Sequence, residues 1–212
     1  MLNKCEGFNA VWLLTYDTRR FPFADLLEKT VFKVPRLAKL HVYWSRKKQS
    51  KGLSPDLDYP DNLRLRAAMQ KLPDDSEFYE LYHGFVRDVI APLYGNRIAY
   101  SAHPKMRVHL AGTGSVSAWH RDADITRRPD QINVWLPFTD TFAGNTLWLE
   151  SDYGLRDFHP VNVSYGNALV FDGGTLEHGT VENDTDSTRV SLDFRFAIKG
   201  SKQHFPLVSK TA

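Results

Sequence analysis

From about residue 104 onward, apolar residues recur at every second position. The runs KMRVHLAG, DQINVWLPF, NTLWLES, PVNVSYG, NALVFDG and TRVSLDFRFAI are short and rich in β-branched and aromatic residues. A period of two belongs to strands, whose successive side chains point to opposite faces. Turn-forming stretches separate the runs: AGTG, RRPD, FAGN, SYGN, FDGG and ENDTD. Such turns, with about six to eight short strands between them, predict an antiparallel sandwich or jelly roll.

The first half has a different rhythm. PFADLLEKTVFK (22–33), DNLRLRAAMQKL (61–72) and DSEFYELYHGFVRDVIAPLY (75–94) carry apolar residues at helical spacing. Asp61, and Asp75 or Ser76, stand where N-caps belong. Between them SRKKQSKGLSPDLDYPDN is polar and broken by Gly and Pro, so it reads as an exposed loop with a solvated basic run. The expected organisation is a mainly β fold with helical support, in one domain over 1–212. Residues 1–103 form a mostly helical N-terminal support, 104–200 the jelly-roll core and 201–212 a C-terminal tail.

Composition narrows the function classes. A net charge of +2 over 212 residues is too small to imply nucleic-acid or membrane binding. The lone cysteine, Cys5, excludes an internal disulfide and fits a reducing compartment. The apolar stretch FNAVWLL near the start is seven residues long, too short for a signal peptide or a membrane span. These features point to a cytoplasmic enzyme-sized protein.

The chemistry starts at SAWHRDAD, residues 117–124. If this segment is a strand, His120 and Asp122 lie on one face and can chelate one ion. A pair alone is weak evidence. His178, in ALVFDGGTLEHGTVEN, supplies a third ligand after enough strands for a jelly roll to return to the same end. Gly173, Gly174 and Gly179 let the backbone turn tightly around it. Two histidines and one carboxylate make the facial triad of non-haem Fe(II) oxygenases, with coordination positions left open. Arg189 lies eleven residues past His178, with Ser191 on the same strand face. An arginine fork and a hydroxyl suit a cosubstrate carboxylate. Val190, Leu192, Phe194 and Phe196 form the opposite, packing face. HRD also begins a kinase catalytic loop, but the asparagine that motif requires is Arg127 here, and no Gly-rich loop precedes it. A cupin-like metal-binding protein or isomerase without O₂ chemistry is the competing reading.

On these residues the chain resembles the Fe(II)/2-oxoglutarate-dependent dioxygenase superfamily. The likeness covers about residues 104–197. INVWLPFTDTFAGNTLWLE further resembles phytanoyl-CoA-hydroxylase-like members and the small oxygenases of antibiotic and aminosugar clusters, the streptomycin-cluster type among them. The resemblance implies a cupin-like double-stranded β-helix with iron on His120, Asp122 and His178, which also serve as the catalytic centre. It implies 2-oxoglutarate on Arg189 and Ser191, with Thr180 near the cosubstrate. The cofactors would be Fe²⁺, 2-oxoglutarate and O₂, and the reaction a hydroxylation that releases succinate and CO₂. Related halogenases lack the carboxylate that Asp122 supplies, so its presence argues for hydroxylation, desaturation or ring closure over chlorination.

Other residues are candidates by alternation. Asn133 is assigned to the cosubstrate; Arg107, His109, Gln131 and Trp135 are assigned to substrate. Arg127, in the loop past the first ligands with Arg128, stands where it could clamp an anion. Arg195 either reaches the site or pairs with Asp193. Trp119 is read as core, and His83 and His159 as structural. The expected partner is a small polar metabolite (an amino acid, sugar or natural-product intermediate). The chain would act alone or as a homodimer, without nucleic acid or membrane.

Overall fold

The computed structural model describes residues 1–200. Two sheets face one another. The larger has seven strands, ordered β1–β2–β8–β5–β10–β3, with β4 also pairing β10. Its strands are β1 (Leu2–Lys4), β2 (Val11–Thr15), β3 (Ile98–Tyr100), β4 (Lys105–His109), β5 (Ile132–Pro137), β8 (Asn167–Phe171) and β10 (Arg189–Ile198). The smaller sheet runs β7–β6–β9, from β6 (Leu147–Leu149), β7 (His159–Val161) and β9 (His178–Gly179). All pairings are antiparallel. This is the jelly-roll arrangement that the period of two predicts.

The expected boundary at residue 104 is corrected in one respect. β1 and β2 come from the first fifteen residues and add to the large sheet through β8, with Val11 opposite Phe171. VWLLT (Val11–Thr15), within and just past the apolar stretch near the start, is a sheet strand. The 201–212 tail lies outside the described residues. No helix among the described residues is long and apolar enough to cross a membrane.

Helices cover the outer face of the large sheet. They are α1 (Phe23–Leu26, continuing as a π-helical turn to Phe32), α2 (Leu40–Gln49), α3 (Tyr59–Gln70) and α4 (Glu77–Phe85, extended by π and 3₁₀ turns to Tyr94). Residues 45–49, expected in a loop, are the last half of α2 instead. Their charges hide the helix because only Leu40 of α2 is fully buried, so the apolar stripe is thin.

Asp61 shows how local chemistry fixes this layer. Asp58 caps α3 and Asp61 returns the capping-box bond, with Pro60 in the first turn. Asp61 is fully buried, accepting from Trp44 Nε1 at 2.8 Å and Lys48 Nζ at 2.7 Å. Burial alone would raise its carboxyl pKa; the Lys48 and Trp44 bonds hold it below the usual carboxylate range. Next to it, buried Asn62 accepts from the Leu110 amide at 2.8 Å and donates to Thr113 Oγ1 at 2.9 Å. The helical layer thereby holds the loop that follows β4.

The two faces of the large sheet divide cleanly. Val134, Leu136, Val190, Leu192, Phe194 and Phe196 pack with Phe23, Phe78, Tyr82 and Phe85 of the helices. Fully burying each such side chain contributes about 1.5–3 kcal/mol. A second cluster sits between the sheets and includes Val11, Trp135, Leu149, Leu169, Phe171 and Leu176. Beside this inner cluster the interior turns polar, and the site lies there.

Candidate metal centre and its cavity

The segments 119–122 and 177–179 lie side by side. His120 and His178 form an antiparallel bridge, exchanging both backbone bonds at 3.0 Å. This corrects the expectation that His120 and Asp122 share one strand. His120 sits on an isolated bridge, and Asp122 opens the short helix α5 (Asp122–Thr126). The Asp122 amide donates to the Gly173 carbonyl at 2.8 Å, which anchors that turn. The pair converges through a strand-to-helix turn rather than strand alternation.

Candidate ligand atoms of His120, Asp122 and His178 all lie within 4.8 Å of one another. Each imidazole is oriented from behind. His120 Nδ1 lies 2.7 Å from the Ala118 carbonyl, and His178 Nδ1 lies 2.9 Å from the Leu176 carbonyl. A carbonyl only accepts, so each Nδ1 carries the proton and each Nε2 presents a lone pair to the centre. Burial, then the charge of His120, pushes the His178 pKa down to about 4, so its ring is neutral near pH 7. His120 is shifted up by Asp122, its Nε2 being 3.7 Å from Oδ1.

Asp122 is 5% exposed, and burial alone would raise its pKa. His120, Asn133 and the charges of His178 and Arg195 outweigh that and keep it ionised. Asn133 Nδ2 donates to Oδ2, and Arg195 Nη1 donates to Oδ1 at 3.0 Å. Asn133, assigned in the sequence to the cosubstrate, lines the cavity and spends its amide N–H on Asp122. Arg195 reaches the site rather than pairing with Asp193.

Two of the glycines are demanded by contact. A Cβ on Gly173 would stand 2.5 Å from Asn133 Cγ, and one on Gly179 would stand 2.8 Å from the Trp119 ring. Trp119 is not core: it is 37% exposed and stacks on Phe158, ring centroids 4.0 Å apart. On the same outer side, Arg121 Nη2 lies 3.4 Å from Glu177 Oε2, tying the two ligand-bearing segments together. Fully buried Glu150 accepts from the Glu177 amide at 2.8 Å and so fixes the residue before His178.

The cavity beside the triad is also lined by Lys105, Arg107, Ser117, Asn133, Trp135, Leu147, Phe171, Thr180, Arg189 and Asp193. Arg189 is 1% exposed, with Nη1 donating to the Asn145 and Thr146 carbonyls at 3.2 Å each. Its guanidinium stands 5.7 Å from the Trp135 ring centre. Burial lowers its pKa to about 9, and Arg107 adds to that, yet it stays charged at pH 7. Among the described residues Arg189 Nε and Ser191 Oγ are buried without a hydrogen-bond partner. Each unmet group costs about 1–3 kcal/mol. Arg189 lines the cavity and can turn its unmet group to a ligand oxygen, whereas Ser191, two residues on along β10, lies behind the lining.

Four sequence assignments are corrected by placement. His109 does not line the cavity; its Nε2 donates to the Gly114 and Thr113 carbonyls at 3.0 and 3.2 Å and shapes the loop. Gln131 and Arg127 do not line it either. Arg127 caps α5 at a positive φ of 55°. Thr180 reaches the wall, but its hydroxyl is occupied by the Val116 and Ser117 amides at 3.0 Å and by Ser115. Sequence reading overlooked Lys105, Asp193, Ser117, Leu147 and Phe171. Lys105 and Asp193 share the alternation that singled out Arg107 and Ser191, so their signal was present. Leu147 and Phe171 are apolar wall residues with no chemical signature.

No protein-family model matches the sequence. The streptomycin biosynthesis protein StrG of Streptomyces griseus is 32% identical over 193 residues, covering 86% of this chain and 82% of that protein. The chain belongs to the StrG family. Two solved structures share the fold of this StrG-family chain. AviO1 from Streptomyces viridochromogenes aligns with a TM-score of 0.58 at 15% identity, over 93% of this chain and 94% of AviO1. The apo form of ThoJ, described as a non-heme monooxygenase, aligns with a TM-score of 0.55 at 16% identity, over 87% and 72%.

Proposed function

We propose that this StrG-family chain is an Fe(II)- and 2-oxoglutarate-dependent oxygenase that hydroxylates a small polar metabolite. One observation carries the reading. A buried His120–Asp122–His178 cluster shares its cavity with Arg189, a fully buried cation that has no carboxylate partner among the described residues.

The residues fit the groups that this reading requires. His120, Asp122 and His178 would hold the ferrous ion, two neutral rings and one carboxylate being the donor set of facial-triad iron sites. Arg189, on the cavity wall with its Nε orphaned, would hold the distal carboxylate of 2-oxoglutarate, with the orphaned Ser191 Oγ next to it along β10. When bound, iron and 2-oxoglutarate together supply the oxidising power drawn from O₂, with succinate and CO₂ as by-products.

The protein's own residues do the positioning. Asn133 and Arg195 keep Asp122 oriented and ionised. The Ala118 and Leu176 carbonyls fix the histidine tautomers. Phe171, its ring centre 5.3 Å from that of His178, and Leu147 form the apolar wall that limits water near the reacting centre. Trp135 shields the Arg189 guanidinium.

Streptomycin biosynthesis, in the name of the related StrG, suggests a natural-product intermediate as substrate. The test is a succinate-release screen over sugars, amino acids and their derivatives with Fe(II) and 2-oxoglutarate. Substrate-dependent succinate from the native protein, absent in His178→Ala, supports the oxygenase. Metal binding without succinate from any substrate would favour a cupin-like isomerase or binding protein.

A further inference from the structure

The cavity holds more positive charge than its cosubstrate can answer. Beyond Arg189, its lining carries Lys105 and Arg107 from β4. Arg66 of α3 stands behind them: a smaller cavity lined by Tyr59, Asn62, Arg66, Arg107 and Val116 shares Arg107 with the main one. Two carboxylates line the main cavity among the described residues: Asp122, already held by Arg195 and Asn133, and Asp193, 3.4 Å from Arg107 Nε. Arg107 Nη1 also reaches the Val116 carbonyl at 3.3 Å. Lys105 makes no side-chain hydrogen bond or ion pair among the described residues, and Arg66 Nε is buried without a partner. Burial, then the neighbouring Arg107, lowers the Arg66 pKa, and Asp193 offsets only part of that.

The other basic groups nearby are already committed. Arg195 is bound to Asp122 and Arg128 is paired with Asp130 at 2.7 Å. Arg189 belongs to the cosubstrate in the oxygenase reading. The register spreads the cations along the cavity: Arg189 lies opposite His109, Ser191 opposite Arg107, and Asp193 opposite Lys105 and Trp135. Four residues of strand put about 13 Å between the Arg189 level and the Lys105 level, with Arg107 between them. A carboxylate held at Arg189 therefore leaves Lys105 unanswered and Arg107 with Asp193 alone.

We propose that Lys105 and Arg107, backed by Arg66, form a second anion subsite that binds a phosphate monoester carried by the substrate. The inference rests on the oxygenase reading. With Asp122 answered by Arg195, three cations against Asp193 leave a surplus that matches the −1.5 to −2 charge of a phosphate monoester at pH 7. A monocarboxylate would satisfy only part of it. Arginine offers a fork to two phosphate oxygens, and lysine offers a mobile point charge from the exposed edge of β4.

The test uses the anaerobic Fe(II)–2-oxoglutarate protein, native and Lys105→Gln. Lys105 is exposed, so its replacement leaves the fold intact. Inorganic phosphate is titrated calorimetrically at fixed ionic strength, and 2-oxoglutarate is titrated in parallel. Succinate release is then measured over matched pairs of sugars and sugar phosphates, and of amines and amino acids. The expected result is phosphate affinity lower by about fivefold or more in Lys105→Gln, with 2-oxoglutarate affinity changed by less than about twofold. Sugar phosphates should outperform their neutral partners in kcat/KM, and that advantage should shrink in the variant through KM. Equal phosphate binding by both proteins, or none, overturns the subsite. So does a preference for the neutral or carboxylate members. A large loss of 2-oxoglutarate affinity would reassign Lys105 to the cosubstrate. Failure of 2-oxoglutarate to bind the native protein would strike the oxygenase reading itself, a separate result.

Discussion

Strand β10 shows the molecule's two economies on its two faces. Val190, Leu192, Phe194 and Phe196 point outward, and the helices answer all four with apolar surface. Arg189, Ser191, Asp193 and Arg195 point inward. There Arg189 Nε and Ser191 Oγ are buried with no protein group to meet them. The outer face is complete as the chain folds; the inner face has its complement outside the chain. A protein keeps a buried cation without a counterion where something else supplies the charge. The two faces should therefore answer mutation in opposite ways.

The largest effect belongs to the outer face. Phe194→Ala should cost about 3–5 kcal/mol of stability through lost burial and a cavity. Urea denaturation measures it, and a loss under about 1 kcal/mol would mean that the helical layer does not depend on this contact.

The inner face should show the reverse. Arg189→Met removes a buried charge without opening a void, so the metal-free protein should keep or raise its urea midpoint. The same change should weaken 2-oxoglutarate binding by about 2–3 kcal/mol. Calorimetry on the Mn(II)-loaded protein separates the two effects. Lower stability together with unchanged affinity would make Arg189 a structural residue.

His109 sharpens the comparison, because it lies on the inner face and does structural work. Burial, then the charge of Arg189, lowers its pKa to about 3, from the ordinary histidine value near 6.5. The folded state thus resists its protonation. Its contribution is fully present above about pH 6.5 and is lost as pH falls from there toward 3. By pH 5 that loss is about 2 kcal/mol. His109→Gln should therefore lose less stability than the native protein between pH 7 and pH 5. Identical pH profiles would contradict the assignment.

The smallest effect is expected at Asn133, which touches Asp122 and leaves the fold alone. Asn133→Ala should lower metal affinity by about tenfold with an unchanged urea midpoint. Its readout is a competition titration against a chelator.

Much of this contrast was legible in the sequence, because alternation records which residues share a face. Val190 to Phe196 against Arg189 and Ser191 could be separated from TRVSLDFRFAI alone. The three ligands were legible as residue types in order, but their geometry was not. Asp122 opens a helix after a bridge at His120, and nothing in HRDAD announces that switch of backbone. β1 and β2 escaped because two short strands ahead of the helical runs carry little signal, and β8, the strand that joins β2 to the sheet, lies about 150 residues away. Arg127 and Gln131 looked like site residues from position alone, but Arg127 ends α5 at positive φ and neither lines the cavity. Lys105 was overlooked although it stands two residues before Arg107, on the same face.

The central claim is that the triad and Arg189 act as one site. Anaerobic addition of Fe(II) and then 2-oxoglutarate tests this most directly, read by visible absorption. The account predicts a weak metal-to-ligand charge-transfer band that needs both additions. The band should be absent in His178→Ala and should appear in Arg189→Met only at much higher 2-oxoglutarate. No band in the native protein, or the same half-saturation in Arg189→Met as in the native protein, would contradict it.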